Sequence, residues 1–567
     1  MREIRTSGLM SGGGKRDDGH KSAPALVLDS TCHVFNSTRP QSAPRVSIDA
    51  MVGAESLLRT LVANGVDTCF MNPGTSEMQF VSALDRVPEM RGILCLFEGV
   101  CSGAADGYAR MLRSPAGTLL HLGPGLGNGL ANFHNARKAR SPVVSIVGQH
   151  TTQHLRVDAP LSADIETFAR TVSSHVRTLE RAEEMGREAA AAVAASYGPP
   201  GQVATLIVPA DFSWSEAGDP ARAQPPPPSP PLSEDCLRGC AELLRSREPV
   251  ALLLGGSALL ASGLDLAGRI AAATGVRVFA SRYGARIARA GGRFSPLRLP
   301  YFPEAVATVL EGLRHLILVE TPPPISFFGY PGRPSSMVPE ACHVHVLTGV
   351  DGDGISALRR LVEECGAAAT SAPTPAIQPP ELAPAGALTL EAIGRAVARF
   401  LPEDSILSEE MVSSGEVILR QLSAARGFDL LPVTGGSIGQ GLPVAVGAAV
   451  ACPGRKVLAM EADGSSMYTP QSLWTMARER LDVTVVILSN RRYRILDIEM
   501  QRTGAGAIGP RANDMLDIGR PDLDWVKLSE GMGVEASRAT TTTQFADQFA
   551  AAMKQHGPRL IDAAVVS

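Results

Sequence analysis

Residues 456–493 carry the clearest pattern from which the fold can be predicted. Their sequence is KVLAMEADGSSMYTPQSLWTMARERLDVTVVILSNRRY. It begins with an apolar run, continues through the acidic turn Asp463-Gly464 and an amphipathic segment, and ends with a second apolar run that stops at Asn490. This order predicts a strand, a turn, a helix and a second strand, the unit from which parallel sheets are built. Because Asp463 and Asn490 each follow a strand, we expect both side chains at one edge of the same sheet.

The same alternation of short apolar runs and alanine-rich helical patterns extends over most of the chain. Examples of the runs are VVSIVGQ (143–149), VATLIVPA (203–210), VALLLGG (250–256) and HLILVE (315–320). The alternation predicts an α/β fold with doubly wound, mainly parallel sheets. Two proline-rich segments, residues 218–235 and 370–386, have the composition of linkers. They divide the chain into three predicted α/β domains, residues 47–217, 236–369 and 387–567.

Composition limits the class of protein. The 567 residues are 44% hydrophobic, the net charge is −4 and the basic residues are scattered, so we expect no nucleic-acid partner and no membrane-surface patch. No apolar run approaches the ~18 residues of a spanning helix, and the N-terminus lacks a signal-peptide pattern, which together predict a cytoplasmic protein. Nine cysteines without a CxxC pair predict reduced thiols. Residues 1–46, rich in Gly, Ser and Arg, predict a disordered extension.

The acidic turn and the asparagine point to metal chemistry. Oxygen atoms of a carboxylate and an amide that converge at one sheet edge suit a hard cation such as Mg²⁺. Gly464 and Ser465 begin a predicted helix whose N–H groups suit phosphate. We therefore predict a magnesium ion that holds a diphosphate. An ordinary Asp-Gly turn and an asparagine at a strand end are the alternative interpretation.

This pattern resembles the GDG…NN signature of thiamine-diphosphate enzymes, in the branch that contains acetolactate synthase and benzoylformate decarboxylase. Two positions depart from that signature, because Ala462 stands where the family has a glycine and Ser489 where it has an asparagine. Neither position ligates metal in the family. The resemblance implies that Mg²⁺ is bound by Asp463, Asn490 and the backbone carbonyl of Arg492.

Three motifs in the first predicted domain extend the resemblance in the family's order. They are MNPGTSEMQFVSALD (71–85), FEGVCSGAADGYAR (97–110) and LHLGPGLGNGLANFHNARKARSPVVSIVGQ (120–149). A fourth, TGGSIGQGLPVAVGAAVA (434–451), resembles the turn and helix beside the middle of the cofactor. The resemblance implies that residues 47–217 bind the thiamine pyrimidine and residues 387–567 the diphosphate. It further implies that Gly436 offers its carbonyl to the aminopyrimidine and that Ile438 is the wedge that bends the cofactor.

One carboxylate needs an explanation, since Glu98 ends the apolar run ILCLFE (93–98) and burying an unpaired carboxylate is costly. The resemblance implies that Glu98 hydrogen-bonds the pyrimidine nitrogen N1′ and so promotes loss of the thiazolium C2 proton. His121 matches an active-site histidine of benzoylformate decarboxylase, although a hydrogen-bonded histidine at a strand end is the alternative. Thr75 matches a serine that contacts substrate there, with a plain turn residue as an equal alternative.

The resemblance implies decarboxylation of a 2-oxo acid with thiamine diphosphate and Mg²⁺, followed by acyl transfer to a second carbonyl. Release of an aldehyde is the first alternative, and a non-catalytic regulatory subunit is the second. In the family the two ends of the cofactor contact different subunits, which implies a homodimer or homotetramer. In acetolactate synthases the middle domain carries FAD. Here the glycine pair in VALLLGGSALLASG (250–263) leaves FAD possible, but a purely structural middle domain is favoured.

A basic segment, RRYRILDIEMQRTG (491–504), follows Asn490. Its arginines Arg491, Arg492 and Arg494 could favour an anionic substrate. Ion pairs at a subunit interface are the interpretation that we prefer.

Overall fold

The computed structural model describes residues 51–565. They form three α/β layers, where a layer is one sheet together with the helices that cover it. The predicted disordered extension, residues 1–46, lies outside these residues. The predicted fold class is confirmed: three sheets, two of them entirely parallel and one mixed, are covered by helices.

The first sheet has six parallel strands in the order β2-β1-β3-β4-β6-β5. Its strands are β1 (Thr68–Asn72), β2 (Arg91–Leu94), β3 (Ala116–Leu120), β4 (Val143–Gln149), β5 (His175–Thr178) and β6 (Val203–Pro209). Its helices are α1 (Gly53–Ala63), α2 (Met78–Ala83), α3 (Glu98–Leu112), α4 (Leu122–Ala139), α5 (Ile165–Arg170), α6 (Met185–Tyr197) and α7 (Ala210–Trp214). Glu98 and His121 lie just beyond the carboxyl ends of β2 and β3, where parallel sheets place their ligands.

The second part of the chain contributes five parallel strands in the order β10-β8-β7-β11-β12. The five strands are β7 (Val250–Leu254), β8 (Arg277–Ala280), β10 (Leu297–Arg298), β11 (His315–Val319) and β12 (His343–Thr348). A sixth strand of this part of the chain, β9 (Ile287–Arg289), lies between β8 and β10 in the sequence. Its helices are α8 (Glu234–Arg245), α9 (Ala261–Thr274), α10 (Pro303–Leu310) and α11 (Gly354–Glu364). Strand β9 leaves this sheet and joins the third one, which the sequence did not predict.

The third sheet has seven strands in the order β17-β18-β16-β15-β13-β14-β9. Its other strands are β13 (Ser405–Glu410), β14 (Phe428–Pro432), β15 (Val457–Ala462), β16 (Val483–Ser489), β17 (Glu535–Ala539) and β18 (Arg559–Ala564). Its helices are α12 (Leu390–Phe400), α13 (Gly415–Gln421), α14 (Gly441–Ala451), α15 (Asp463–Ser466), α16 (Ser472–Arg478), α17 (Arg494–Arg502), α18 (Pro510–Asp514), α19 (Trp525–Gly531) and α20 (Thr542–Ala552). Only β9 runs antiparallel, against β14.

The strands at the centres of the sheets are buried along their whole length, as β4, β6, β7 and β16 show. Their nearly continuous Val, Ile and Leu runs are what a sheet with helices on both faces requires. The cysteines that the structure describes are all free, in agreement with the predicted reduced thiols. Within residues 51–565, no helix is long and apolar enough to cross a membrane.

Helix α3 of the first layer packs closely on α14 of the third. Glycines make this possible: a Cβ added at Gly447 would lie 1.8 Å from the carbonyl oxygen of Ala104, and one at Gly107 would lie 2.2 Å from that of Val444. Beside this contact, the buried guanidinium of Arg110 pairs with Asp106 and donates to the carbonyl of Pro432 at 2.8 Å. The contact places the start of α3 and the turn before α14 in one region of the molecule.

Candidate active site

Glu98 is the first residue of α3, and its side chain is buried with 7% of its surface exposed. The amide of Asn128, in α4, donates to Glu98 Oε2 at 3.0 Å. A Cβ added at Gly125 would lie 3.2 Å from the other oxygen, Oε1, so glycine leaves room beside it. Among the described residues, only Asn128 donates a hydrogen bond to this carboxylate. The helix N-terminus favours its negative charge, and Oε1 remains able to accept or share a proton with a ligand.

His121 lies immediately before α4, and its ring contacts the loop that carries Thr75. Its Nδ1 is 2.7 Å from Oε2 of Glu77, and the same oxygen accepts the N–H of Gly74 at 2.8 Å. A Cβ added at Gly74 would lie 2.3 Å from His121 Nδ1, so only glycine lets the ring approach this loop. His121 is therefore hydrogen-bonded, as the alternative interpretation expected, but its partner is a second acid.

Glu77 is completely buried. Its Oε1 has no hydrogen-bond partner among the described residues and lies where a Cβ on Gly148 would be, 1.6 Å away. Burial raises the pKa of Glu77, while the N–H of Gly74 and the charge of the His121 ring act in the opposite direction. Glu77 was not among the site residues predicted from the sequence, although it is an acid within the motif that begins MNPGTSEM. Thr75 opens the short 3₁₀ turn that ends at Glu77 and is exposed.

The predicted metal ligands meet at the ends of two paired strands. Strands β15 and β16 are parallel neighbours, with Ala462 opposite Leu488. Oδ2 of the buried Asp463 accepts the N–H of Arg491 at 2.6 Å, and Oδ1 of Asn490 accepts the N–H of Arg492 at 2.9 Å. The turn after β15 and the turn after β16 are thus joined by a hydrogen bond, which places the carboxylate and the amide at one edge of the sheet, as their spacing led us to expect. These two turns together are called the loop here.

This loop has the chemistry of a magnesium site. Burial raises the pKa of Asp463, and its described hydrogen-bond donors are backbone N–H groups, so a cation would relieve the cost of its charge. No group of three or more His, Cys, Asp or Glu side chains in residues 51–565 could hold a metal by itself. Mg²⁺ commonly binds through one or two protein oxygens completed by phosphate and water, so one carboxylate, one amide and one carbonyl fit it. The residues present therefore fit a Mg²⁺ diphosphate.

Gly464 is required by the packing of this loop. A Cβ at this position would lie 2.4 Å from the ring of Tyr493, which covers the turn. Ser465 is buried, and its hydroxyl donates to the carbonyl of Ala462 at 3.1 Å. A larger residue at position 464 would therefore require the Tyr493 ring or the turn to move.

The turn at residues 434–441 is held from both sides. On either side of Ile438, the carbonyl of Ser437 accepts from Asn135 at 2.8 Å, and that of Gly439 accepts from Asn132 at 3.1 Å. Gly436 has a φ of +80°, and a Cβ there would lie 2.2 Å from the ring of Phe327. The polar face of α4 thus fixes the residue that the sequence assigned as the wedge.

Phe327 belongs to the segment ISFFGYPG (325–332), which follows β11. Its ring lies 5.5 Å from that of Tyr301 and 4.7 Å from that of Phe328, which is half-exposed. The sequence analysis assigned no site role to this segment. Its contact with Gly436 depends on tertiary packing, and no motif signals it.

Two further acids lie beneath the turn at the ends of neighbouring strands β13 and β15. Glu410 accepts the N–H groups of Gly439 and Gly441, and burial raises its pKa to about 7. Both oxygens of Glu461 are buried without a hydrogen-bond partner among the described residues. Burial, and then the charges of Glu410 and Glu409, raise the pKa of Glu461 well above its usual range. Burial and the neighbouring carboxylates thus favour the neutral form of Glu461 beneath the turn.

Two of the three arginines after Asn490, Arg491 and Arg492, have partners within the chain. Arg491 pairs with Asp522 at 3.1 Å, and Arg492 donates from Nε and Nη2 to the two carboxylate oxygens of Asp497, at 2.5 and 2.6 Å. Neither side chain needs an anionic substrate or a second subunit to neutralise it. For these two side chains an acid of the same chain takes the place of the partners expected from the sequence, and Asp522 is brought close only by the fold. The exposed Arg494 has no ion-pair partner among the described residues, so both interpretations stay open for it.

Comparison with known proteins identifies the class. Residues 51–170 match the family described as "Thiamine pyrophosphate enzyme, N-terminal TPP binding domain", and residues 418–563 match "Thiamine pyrophosphate enzyme, C-terminal TPP binding domain". The chain belongs to the thiamine pyrophosphate enzymes. The resemblance stated from the sequence is thereby confirmed.

Within this class, the chain is 50% identical over 523 residues to a Mycobacterium tuberculosis protein named "Putative acetolactate synthase large subunit IlvX", covering 91% of this chain and 99% of that protein. It is 28% identical to a benzoylformate decarboxylase of Pseudomonas aeruginosa, over 88% of this chain and 96% of that one. Among solved structures, the thiamine diphosphate-dependent 4-hydroxybenzoylformate decarboxylase of Rhodococcus jostii superposes with a TM-score of 0.80 at 25% identity, covering 91% and 99% of the two chains.

Proposed function

We propose that this enzyme decarboxylates a 2-oxo acid with thiamine diphosphate held by Mg²⁺. The observation that carries the proposal is Glu98, a buried acid at a helix N-terminus with one oxygen held by Asn128 and the other free, in a chain of this family. The cofactor, when bound, supplies an electron sink for the electron pair that remains after CO₂ leaves. The protein supplies binding, orientation and proton placement.

In this proposal Glu98 shares a proton with the ring nitrogen N1′ of the pyrimidine, and its apolar surroundings strengthen that hydrogen bond. Gly436 offers its carbonyl to the amino group of that ring, and Ile438 fixes the bend of the cofactor. The magnesium ligands are Asp463, Asn490 and the carbonyl of Arg492, with Gly464 and Ser465 beside the diphosphate.

We assign proton delivery to His121. Because its Nδ1 faces Glu77, Nε2 is the ring nitrogen left to exchange a proton with a substrate, and the side chain is 24% exposed. Glu77 acts as a positioning residue that fixes the ring and its tautomer. A histidine that returns a proton after CO₂ loss supports release of an aldehyde, which is the outcome that the geometry favours. Thr75, exposed on the same loop, is proposed to contact the substrate.

Acyl transfer to a second carbonyl is the second candidate outcome. It is supported by the Mycobacterium tuberculosis relative at 50% identity, which is named "Putative acetolactate synthase large subunit IlvX". Both outcomes share the decarboxylation step. They differ only in whether the electron pair that remains after CO₂ leaves forms a bond to a proton or to a carbonyl carbon.

We further propose that the active sites form between two copies of the chain, with Glu98 from one and Asp463 from the other, in a homodimer or homotetramer. The limits 47–217, 236–369 and 387–567 are kept as the proposed domain boundaries. A cytoplasmic location completes the proposal.

The test is to incubate the purified protein with thiamine diphosphate, Mg²⁺ and a panel of 2-oxo acids, and to measure CO₂ and products together. We expect CO₂ release from at least one acid, and its loss when Mg²⁺ is chelated. An aldehyde as the sole product supports proton return, and a 2-hydroxy ketone or acetohydroxy acid supports acyl transfer. Cofactor binding without CO₂ release from any acid would contradict the proposal and favour a regulatory subunit.

A further inference from the structure

The second sheet contains the place where an α/β fold usually binds a nucleotide. The chain crosses from β7 to β8 on one side and returns to β11 on the other, so the strand order reverses between β7 and β11. Ligands bind beyond the carboxyl ends of the strands at such a reversal, with phosphate on the first glycine-rich turn. Here that turn is Gly255-Gly256, followed by Ser257 and Ala258.

A side chain of the protein already fills this turn. Glu320, the residue after β11, is buried, and its Oε2 accepts the hydroxyl of Ser257 at 2.5 Å and the N–H of Ala258 at 3.1 Å. These are the donors that a phosphate oxygen would use. The carboxylate therefore stands where the negative charge of a ligand is expected.

Three glycines make room for Glu320. Added Cβ atoms would lie 2.2 Å from its Oε2 at Gly354, 2.8 Å from its Cδ at Gly256, and 2.5 Å from its carbonyl oxygen at Gly255. Glu320 itself has a φ of +51°, a left-handed conformation that is strained for a residue with a side chain. The glycines that would admit a phosphate instead surround an internal carboxylate.

The space beside this carboxylate is small and mixed in charge. A cavity of about 400 Å³ is lined by two acids, Glu320 and Asp353, and by two arginines, Arg113 and Arg359. The described residues give neither arginine an ion-pair partner. Burial raises the pKa of Glu320, while Ser257, Ala258 and Arg113 favour its ionised form.

We propose that Glu320 is a built-in anion that closes the middle layer of this enzyme to FAD and other dinucleotides. A bound diphosphate would have to displace a carboxylate that is covalently part of the chain and that already occupies the Ser257 and Ala258 donors. Arg113 and Arg359 on the cavity wall would attract the diphosphate, but they balance the charges of Glu320 and Asp353 and do not free the donors of the turn. The residues present thus do not fit the flavin that acetolactate synthases carry in this layer. The inference concerns binding alone and does not depend on the proposed reaction.

The experiment is a titration of the purified full-length protein with FAD and with ADP, followed by fluorescence anisotropy and calorimetry. The wild-type protein should bind neither. Glu320→Gly suits the left-handed backbone, removes the carboxylate and frees the Ser257 and Ala258 donors, so ADP binding should become measurable, at least ~10-fold tighter than the detection limit that bounds the wild-type affinity. Glu311→Gly, at an exposed helix end, is the matched control and should behave as wild type.

Stoichiometric FAD binding by the wild-type protein would overturn the inference. So would a folded Glu320→Gly protein, verified by circular dichroism, that binds ADP no better than wild type. If the glycine variant does not fold, Glu320→Ala is measured in the same way, with the same two outcomes.

Discussion

At the scale of single residues, the acids of this protein are explained by what they touch. Glu98 was recognisable from the sequence because a carboxylate ended an apolar run beside a family motif. Its partner Asn128 was not, because the two residues are brought together by packing between segments 30 positions apart. Glu77 is visible as an acid in a family motif, but its role depends on the contact with His121, 44 positions away, which the sequence does not signal. Sequence patterns report burial, whereas hydrogen-bond partners depend on the fold.

Replacing Glu77 by Gln tests the role of the Glu77–His121 pair. The amide keeps the size of the side chain but can present either an acceptor or a donor to His121 Nδ1, so the ring tautomer is no longer fixed and proton return should slow. We expect kcat for aldehyde release to fall about 10- to 100-fold, with little change in KM or in cofactor affinity. Steady-state kinetics with coupled aldehyde detection measures this.

Glu55→Gln is the matched control, because Glu55 pairs with Arg59 and Arg86 on the surface. That variant should keep the wild-type kcat. A Glu77→Gln enzyme with unchanged kcat would show that the pair is only structural.

At the scale of elements, the predicted strand, turn, helix and strand of residues 456–493 are present as β15, α15, α16 and β16. The apolar runs were sufficient because central parallel strands are buried on both faces. Strand β9 was not predictable, since three residues carry too little pattern and its pairing with β14 is antiparallel and distant in sequence. The break between α15 and α16 was likewise not signalled.

Gly464→Ala tests whether the Asp463 turn forms the metal site. The added Cβ would overlap the ring of Tyr493, so the turn or the ring must move. We expect Mg²⁺-dependent thiamine diphosphate binding to weaken at least ~10-fold, as measured by calorimetry. Gly454→Ala, at a position where a Cβ meets no atom within 4 Å, should bind as wild type. Equal binding by both variants would argue against this turn as the site.

The acids beneath the turn at residues 434–441 predict a pH dependence of stability. Burial raises the pKa of Glu410 to about 7, above its value in the unfolded chain. As pH rises from about 4.5 to about 7, the unfolded chain loses this proton while the folded protein retains it, so stability falls across that window. Glu409 and Glu461 face the same site and strengthen the effect.

Glu410→Gln should therefore show a smaller loss of stability over this pH window than wild type. The variant also loses a hydrogen bond to Gly439 or Gly441, so the slope with pH, and not the absolute value, carries the test. Thermal unfolding of the cofactor-free protein at a series of pH values measures it. Parallel slopes for the two proteins would contradict the assignment.

At the scale of the whole molecule, the sequence predicted three α/β layers but not how they meet. The packing of α3 on α14 depends on glycines that read, in sequence, as ordinary members of alanine-rich helices. Only the structure shows that Gly447 and Gly107 each face a backbone carbonyl of the opposite helix.

Gly447→Ala should lower the free energy of unfolding by about 1–3 kcal/mol, because its Cβ overlaps the carbonyl of Ala104. Gly239→Ala, in α8, is the control, since no atom lies within 4 Å of its added Cβ. That substitution should stabilise the protein by up to about 1 kcal/mol through helix propensity. Urea unfolding of both variants measures these changes, and effects of the same sign would contradict the proposed packing.

If Glu98 drives thiamine-dependent decarboxylation, the Glu98→Gln protein should differ from wild type in CO₂ release. CO₂ release is measured with saturating thiamine diphosphate and Mg²⁺ on a 2-oxo acid that the wild type accepts, with cofactor binding followed in parallel. We expect Glu98→Gln to lower the rate of CO₂ release at least ~100-fold while the cofactor still binds. An undiminished rate in the Glu98→Gln protein would contradict this role of Glu98.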